Sequence, residues 1–398
     1  MISRKARFIE PSPTMAIDSK AKEMKNRGID VISFGAGEPD FDTPVNIREA
    51  AVAAIDGGHT RYTPAAGSQE LREAICRKFE LENDLKYRPA QIVVSNGAKH
   101  SLSNVFTAIL DPGDEVLIPA PFWVSYPEMV KLNDGIPVIV NTTESNLFKL
   151  DLQTLSKACS GRTKALILNN PCNPTGQLYT RNELQLIGDF CVEHKILIVA
   201  DEIYEKLIYG GHSFTSIAAL SEQIKEYTIV VNGVSKSYSM TGWRIGYSAS
   251  SLAIAEAMAA IQSHCASNPN SIAQKAALQA LLGPQESVEA MRMAFEERCK
   301  YMLARITAIP GLSAHEPLGT FYMFVNITGA TGKTFRDQRI VNSDDFAALL
   351  LDSKNTAVVP GTGFGAANHI RLSFALSMGN IVEGLNRLEA FVADLGES

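Results

Sequence analysis

The chain has 398 residues, 45% of them hydrophobic and 20% charged, and its formal net charge is −6. That length implies two or three domains, or one large domain with an appendage, and the mild acidity argues against nucleic acid or an anionic membrane surface as a partner. The richest apolar stretch, Leu252 to Ile261, contains Glu256 and falls short of the roughly 18–20 residues that a membrane helix needs. The opening MISRKARFIEPSPTM lacks the apolar centre of a secretory signal. Six cysteines without a CxxC spacing and seven histidines without HxxxH or HExxH indicate neither a redox pair nor a metal. A cytoplasmic protein with reduced thiols is expected.

In chain order, the first 45 residues carry little sheet signal. A helix is predicted over Ser68–Leu81, with Leu71, Ile75 and Phe79 on one face. Apolar runs then predict strands at Gln91–Ser95, Glu115–Pro119, Ala165–Asn169, Ile196–Asp201, Thr228–Asn232 and Arg244–Ser248, with a helix at Arg181–His194. Mostly continuous runs suit strands buried on both faces of a parallel sheet. A long helix, Glu286–Ile309, is read from Met293, Phe295, Met302 and Ile306, and stops at Pro310. Thr320–Val325, Ala357–Val359 and His369–Phe374 predict strands of a smaller unit. The expected fold is α/β: a large domain over 46–290, with a mostly parallel central sheet wrapped by helices, and a smaller α+β domain from 291–398 joined by part of 1–45.

Ligands of open α/β sheets sit outside the carboxyl ends of the strands. Polar residues gather at several such ends here: Ser95-Asn96-Gly97, Asn169-Asn170, Asp201 and Ser235-Lys236. A lysine just past a buried strand has a lowered pKa and can condense with an aldehyde. Arg244, eight residues further on, suits a phosphate. Asp201, closing the apolar ILIVAD, should face a cation, because an unpaired buried charge is costly. Gly97, Ala98 and Lys99 open a helix, whose free N–H groups favour an anion. Arg371 alternates with Ile370 and Leu372, so it points away from its apolar neighbours. The GKT at 332–334 has two residues between its glycines where a P-loop needs four, and reads as a surface turn.

The run Ser-Lys-(x)5-Gly-x-Arg-x-Gly at 235–246 resembles the lysine signature of class I aminotransferases, of the pyridoxal-phosphate fold type I. With AGEPDFDTP, NPCNPTG, DEIYE and MTGWRIGY in order, the resemblance spans Gly35 to Arg371 and is nearest to a bacterial aspartate aminotransferase subgroup. It implies pyridoxal 5′-phosphate held on Lys236, which also serves as general base. It implies Asp201 at the pyridine nitrogen, Tyr204 and Asn173 at the phenolic oxygen, and Trp123 stacked on the ring. Gly97, Ala98, Lys99, Ser235 and Arg244 would hold the phosphate, joined by Tyr62 from the partner subunit of a homodimer. Arg371 and the Gly37 N–H would clamp the substrate α-carboxylate, with Trp123 and Asn173 also touching substrate.

The implied reaction moves an amino group between small-molecule amino acids and 2-oxo acids, with L-aspartate and 2-oxoglutarate first. One group of aspartate aminotransferases carries an arginine four residues before Ser-Asn-Pro; here the matching position is Ser263. Aromatic amino acids, alanine, prephenate and a carbon–sulfur β-lyase reaction therefore stand as alternatives.

Overall fold

The computed structural model describes residues 1–3, 5, 7, 9 and 13–396. From the N-terminus it runs through α1 (Pro13–Asn26), β1 (Ile32–Ser33), α2 (Val45–Asp56), α3 (Gln69–Asn83), β2 (Ile92–Ser95), α4 (Ala98–Ile109), β3 (Glu115–Ala120), α5 (Ser125–Leu132) and β4 (Ile136–Asn141). It continues with α6 (Leu152–Ala158), β5 (Thr163–Asn169), α7 (Arg181–Glu193), β6 (Leu197–Asp201), α8 (Glu222–Glu226), β7 (Thr228–Gly233), β8 (Gly246–Ala249), α9 (Leu252–Cys265), α10 (Ser271–Leu282) and α11 (Glu286–Ala308). The rest comprises β9 (Ser313–Ala314), β10 (Tyr322–Asn326), a hairpin of β11 (Thr334–Phe335) and β12 (Gln338–Arg339), α12 (Ser343–Lys354), β13 (Thr356–Ala357), β14 (Val359–Pro360), β15 (His369–Ser373) and α13 (Met378–Ala393).

The six apolar runs and one further strand, β4, assemble into one seven-stranded sheet of order β2-β8-β7-β6-β5-β3-β4. Pairs β4–β3, β3–β5, β5–β6 and β6–β7 are parallel, while β8 is antiparallel to both β2 and β7. β2 therefore runs in the same direction as β7. The carboxyl ends of β2, β5, β6 and β7 and the amino end of β8 all lie along one edge, which brings Gly97, Asn169, Asp201, Lys236 and Arg244 together. Helices cover the sheet, and buried side chains such as Val116, Ile167, Val199 and Val231 on one side and Leu117, Leu166, Ile198 and Ala200 on the other form its cores. The start of α7 follows from a capping box: Thr180 and Glu183 exchange side-chain-to-backbone hydrogen bonds.

The second sheet, β14-β15-β10-β9, is antiparallel. Its apolar face packs on α11, whose buried stripe is Val288, Met291, Phe295, Cys299, Met302 and Ile306. Met293, read above as part of that stripe, points outward instead, because its position in the helix turn faces solvent. β1 pairs with β13 in parallel, which ties the N-terminal segment to the C-terminal part. The same core takes in Ile203, Tyr204, Leu207 and Tyr209 from just beyond β6, so the chain leaving Asp201 is anchored by both halves.

Four local expectations needed correction. The strand predicted from Arg244 begins at Gly246, because Arg244 takes a left-handed φ of 58° after the short turn Thr241–Trp243. The strand predicted from Thr320 begins at Tyr322, since Thr320 has a φ of 65°. Ala357–Val359 divides between β13 and β14, which pair with different partners. β4 went unpredicted: it is an edge strand that leaves Ile136 and Ile139 exposed, so its pattern lacks a buried strand's contrast.

Candidate active site

The strand-end edge forms one wall of a pocket of about 460 Å³, and β10 and β15 contribute Tyr322 and Arg371 to it. At one end is an anion cup. Gly97 turns into α4 with a φ of 86°, and a Cβ there would meet Arg244 Nη2 at 2.4 Å. Gly246 fits as closely: a Cβ on it would lie 2.1 Å from the backbone nitrogen of Ala98. At Gly246, where the clash would be with backbone, only a glycine lets the start of β8 approach this turn. α4 has no side-chain cap at its start, so its first N–H groups face the pocket with the positive end of the helix dipole. Arg244 Nη1 donates to Thr241 O at 2.9 Å, which steadies the guanidinium over the cup, and Ser235 lines the same region.

Asp201, 4% exposed, closes β6. Its Oδ2 accepts from Tyr126 Oη at 2.7 Å and its Oδ1 from the Ile203 N–H at 3.3 Å. Among the described residues no cation lies within ion-pair distance of it. Burial pushes its pKa up, against the lowering effects of the Tyr126 and Ile203 bonds and of Lys236. Trp123 packs edge-on against Tyr126 with centroids 5.3 Å apart. The Lys99 ammonium sits 4.8 Å above the Trp123 ring, and burial followed by Arg244 lowers its pKa.

Lys236 is half-buried and donates from Nζ to the carbonyl of Gly37. Burial lowers its pKa to about 8; Glu38 and Asp201 oppose that shift, while Arg371 and Arg244 add to it. Glu38 itself accepts from Thr241 Oγ1 at 2.7 Å. Tyr204 Oη donates to Tyr322 Oη at 3.3 Å, and burial, then Tyr322, hold the Tyr204 pKa well above its ordinary value.

Arg371, 3% exposed, donates from Nη1 to Asn173 Oδ1 at 3.0 Å and from Nη2 to Gly35 O at 3.4 Å. Among the described residues its Nε has no hydrogen-bond partner. The guanidinium lies 4.1 Å from the Tyr322 ring centroid and 5.0 Å from that of Phe364. Among the described residues it meets no carboxylate, so this buried cation is prepared for an anion from outside the chain.

The pocket thus gathers Gly37, Ala98, Lys99, Trp123, Asn173 and Asp201 with Tyr204, Ser235, Lys236, Arg244 and Arg371, and Gly97 borders it. Tyr62, expected at the pocket of a partner subunit, stands 91% exposed on the surface of its own chain. Gly37 meets Lys236 through its carbonyl rather than presenting only an N–H. Ser263 is exposed on α9, bonded to Ala260 O of its own helix. Sequence reasoning missed Tyr126, Tyr322, Glu38 and Lys22, all of which line the pocket. The rule that a buried carboxylate should face a cation gives no signal for Tyr126.

A lysine of lowered basicity, set near a buried carboxylate, an anion cup and a second buried cation, defines an α/β enzyme of carbonyl and amine chemistry. The chain belongs to the aminotransferase class I and II family, whose model matches residues 29–388. It is 49% identical over 392 residues to the aspartate aminotransferase of Bacillus sp. strain YM-2, covering 98% of this chain and 99% of that one. The aspartate aminotransferase structure from Rhizobium meliloti superposes with a TM-score of 0.97 at 39% identity, covering 100% of both chains. That of the Thermus thermophilus aspartate aminotransferase with maleate gives 0.93 at 40% identity, covering 98% of this chain and 99% of that one. The protein is an aminotransferase.

Proposed function

We propose that this aminotransferase works on pyridoxal 5′-phosphate, takes the amino group of L-aspartate and passes it to 2-oxoglutarate, as a cytoplasmic homodimer. The observation that carries the reading is the set of unpaired buried charges. Among the described residues Asp201 meets no cation and Arg371 no anion, in a pocket that also holds the Lys236 amine and the Gly97–Arg244 cup.

These residues fit the cofactor. The cup and Ser235 suit its phosphate, Asp201 a cationic ring nitrogen, Trp123 a ring face, and Tyr204 with the Asn173 amide a phenolic oxygen. When bound, the cofactor supplies an aldehyde for amines and a ring that takes up the electrons left when a C–H bond breaks. Arg371 grips the α-carboxylate and fixes the amino acid's orientation. Lys236 Nζ, with a pKa of about 8, is neutral in enough molecules near physiological pH to take the proton from the substrate α-carbon, and would deliver it to the carbon that had been the cofactor's aldehyde. Asp201 stays anionic when a cation reaches it, and Tyr126 holds it in place.

Ser263 provides no cation for a distal carboxylate, whereas the Lys99 side chain, over Trp123 and paired with no carboxylate among the described residues, does. That favours a dicarboxylate over aromatic or small substrates. Val45, Val52 and Ile55 of α2 are exposed, as is Tyr62 after it, and exposed apolar residues of this kind suit a partner subunit. The six free cysteines suit a reducing compartment.

The test is a half-reaction. Single amino acids are added to the cofactor-loaded protein without an oxo acid, and the visible absorbance is followed. Bleaching by aspartate and glutamate is expected, with loss of both in Lys99→Ser while alanine still reacts. Bleaching only by aromatic or small amino acids would refute the dicarboxylate assignment, and a protein that never takes up the chromophore would refute the cofactor.

A further inference from the structure

Tyr322 stands on β10 opposite Ser373, and its strand neighbour Phe324 stands opposite Arg371. Alternate residues share a face, so Tyr322 and Arg371 project together into the pocket. The Tyr322 side chain is buried and its backbone N–H is held by Thr320 Oγ1 at 3.1 Å. Two contacts define it: the ring lies under the Arg371 guanidinium at 4.1 Å, and the hydroxyl accepts from Tyr204 Oη at 3.3 Å. A Cβ on Gly37 would lie 3.6 Å from that same hydroxyl.

Packing and the cation–π contact call only for a ring, and phenylalanine would supply both. The hydroxyl is an extra polar atom in a buried place, which is costly unless it is used. A phenol both donates and accepts. Here the oxygen accepts from Tyr204, while the proton has no acceptor among the described residues. That proton faces the space beside Arg371 and Gly37, where an anion on Arg371 would arrive.

We propose that Tyr322 is a positioning residue that transmits occupancy of the Arg371 carboxylate site to Tyr204. This rests on the proposed function. An anion held by Arg371 takes the Tyr322 proton as a hydrogen bond. Hydrogen bonds in a chain polarise one another, so the Tyr322 oxygen becomes a better acceptor. Tyr204 then directs its proton to Tyr322 and gives less of it to the phenolic oxygen of the bound cofactor. With that oxygen less stabilised as an anion, the Lys236 nitrogen keeps a proton to higher pH. Substrate capture at one end of the pocket thereby sets the proton balance at the other.

The test uses the cofactor-loaded protein and maleate, a dicarboxylate with no amino group to transfer. The pH midpoint of the visible absorbance change is measured with and without saturating maleate, in the wild type and in Tyr322→Phe. The charged and titratable groups facing Lys236 are Glu38, Arg371, Arg244 and Asp201, and those facing Tyr204 are Tyr322, Arg371 and Asp201. All but the Tyr322 hydroxyl remain in the variant, so direct charge effects of maleate persist there. Maleate is expected to raise the wild-type midpoint, and Tyr322→Phe to remove roughly 0.5–1 pH unit of that rise, the equivalent of one neutral hydrogen bond. Maleate affinity should fall about tenfold, the loss of one hydrogen bond to a charged group, while the ring under Arg371 keeps the anion site in place. An equal rise in both proteins overturns the inference, as does a wild type whose midpoint ignores maleate, or a variant that no longer binds it. A wild type with no visible absorbance overturns the proposed function instead, so the two failures are distinguishable.

Discussion

Tyr126→Phe isolates the one side-chain donor that holds the Asp201 carboxylate. The ring stays, so the edge-on packing with Trp123 is kept, and only the 2.7 Å hydrogen bond to Oδ2 is lost. Both residues are buried. A hydrogen bond to a charged group contributes about 1.5–3 kcal/mol, which at 1.36 kcal/mol per unit corresponds to about 1–2 pH units. Burial already raises the Asp201 pKa, and the Tyr126 bond opposes that rise; losing the bond raises it further. Catalysis uses the anion, so the acid limb of kcat/KM for aspartate should move upward by about one unit, and kcat/KM on the plateau should fall about tenfold. In the apoprotein, a carboxyl whose folded pKa exceeds its unfolded value binds an extra proton when folded. Stability then declines as pH rises through that interval. Tyr126→Phe should therefore lose more stability at about pH 8 than at about pH 5. The double variant with Asp201→Asn should be no worse than Asp201→Asn alone, because the hydroxyl acts only through the carboxylate. An acid limb at the wild-type pH, or additive losses in the double variant, would refute the reasoning.

Two further outcomes follow from the charges around the site. In the apoprotein, the rate at which an acylating reagent modifies Lys236, read by peptide mass, should rise with a midpoint near 8, because the neutral amine is the nucleophile. Glu38→Gln should lower that midpoint by about half a unit, since the carboxylate favours the protonated form and is partly screened by solvent; an upward shift would contradict the assignment. Beneath the segment that carries Tyr204, Lys78 is paired with Glu205 at 2% and 6% side-chain exposure, and Asn83 bonds both. Burial pushes Glu205 up, but Lys78 and Asn83 together hold it below the usual carboxylate range. Lys78→Met leaves that charge with the Asn83 amide but without its paired cation and should destabilise the protein by about 3–5 kcal/mol in denaturant unfolding, whereas a change under about 1 kcal/mol would show the pair to be dispensable.

What the sequence revealed about the site depended on how far apart in the chain the partners lie. Lys236, Asp201 and Gly97 are each marked locally, by a polar residue closing an apolar run, and Arg371 by alternation along its strand. Tyr126 and Tyr204 carry no such mark. The partner of Tyr126 is 75 residues away and that of Tyr204 is 118 away, across two different sheets. No periodicity encodes such contacts. Arg244 was placed on a strand because its neighbours are apolar, but a left-handed φ turns the chain there and brings the guanidinium over Gly97. Lys99 was read with the phosphate loop as a unit. The fold separates its backbone, at the start of α4, from its side chain, which reaches Trp123. β4 escaped notice because an edge strand need not be apolar on both faces.

The two buried ions of the pocket have opposite signs, yet they do not pair with each other. Each is fastened to a different sheet: Asp201 to the end of β6 by Tyr126 and the Ile203 N–H, Arg371 to β15 by Asn173 and the Tyr322 ring. Collapse of the pocket onto a salt bridge would need one sheet to slide on the other, against the shared core that includes Tyr204, Leu207, Phe295 and Phe321. Leaving a buried charge without its partner costs several kcal/mol, so the pocket is a place where the fold holds itself short of its most stable arrangement. A cofactor with a cationic ring and an amino acid with a carboxylate each remove part of that cost, and only when both are seated is it removed entirely. Ligands that bind the folded state alone stabilise it by about 2.7 kcal/mol at a hundredfold excess over Kd. The same frustration that departs from the local rules of stable packing thus makes the pocket select for a pair of ligands with matching charges.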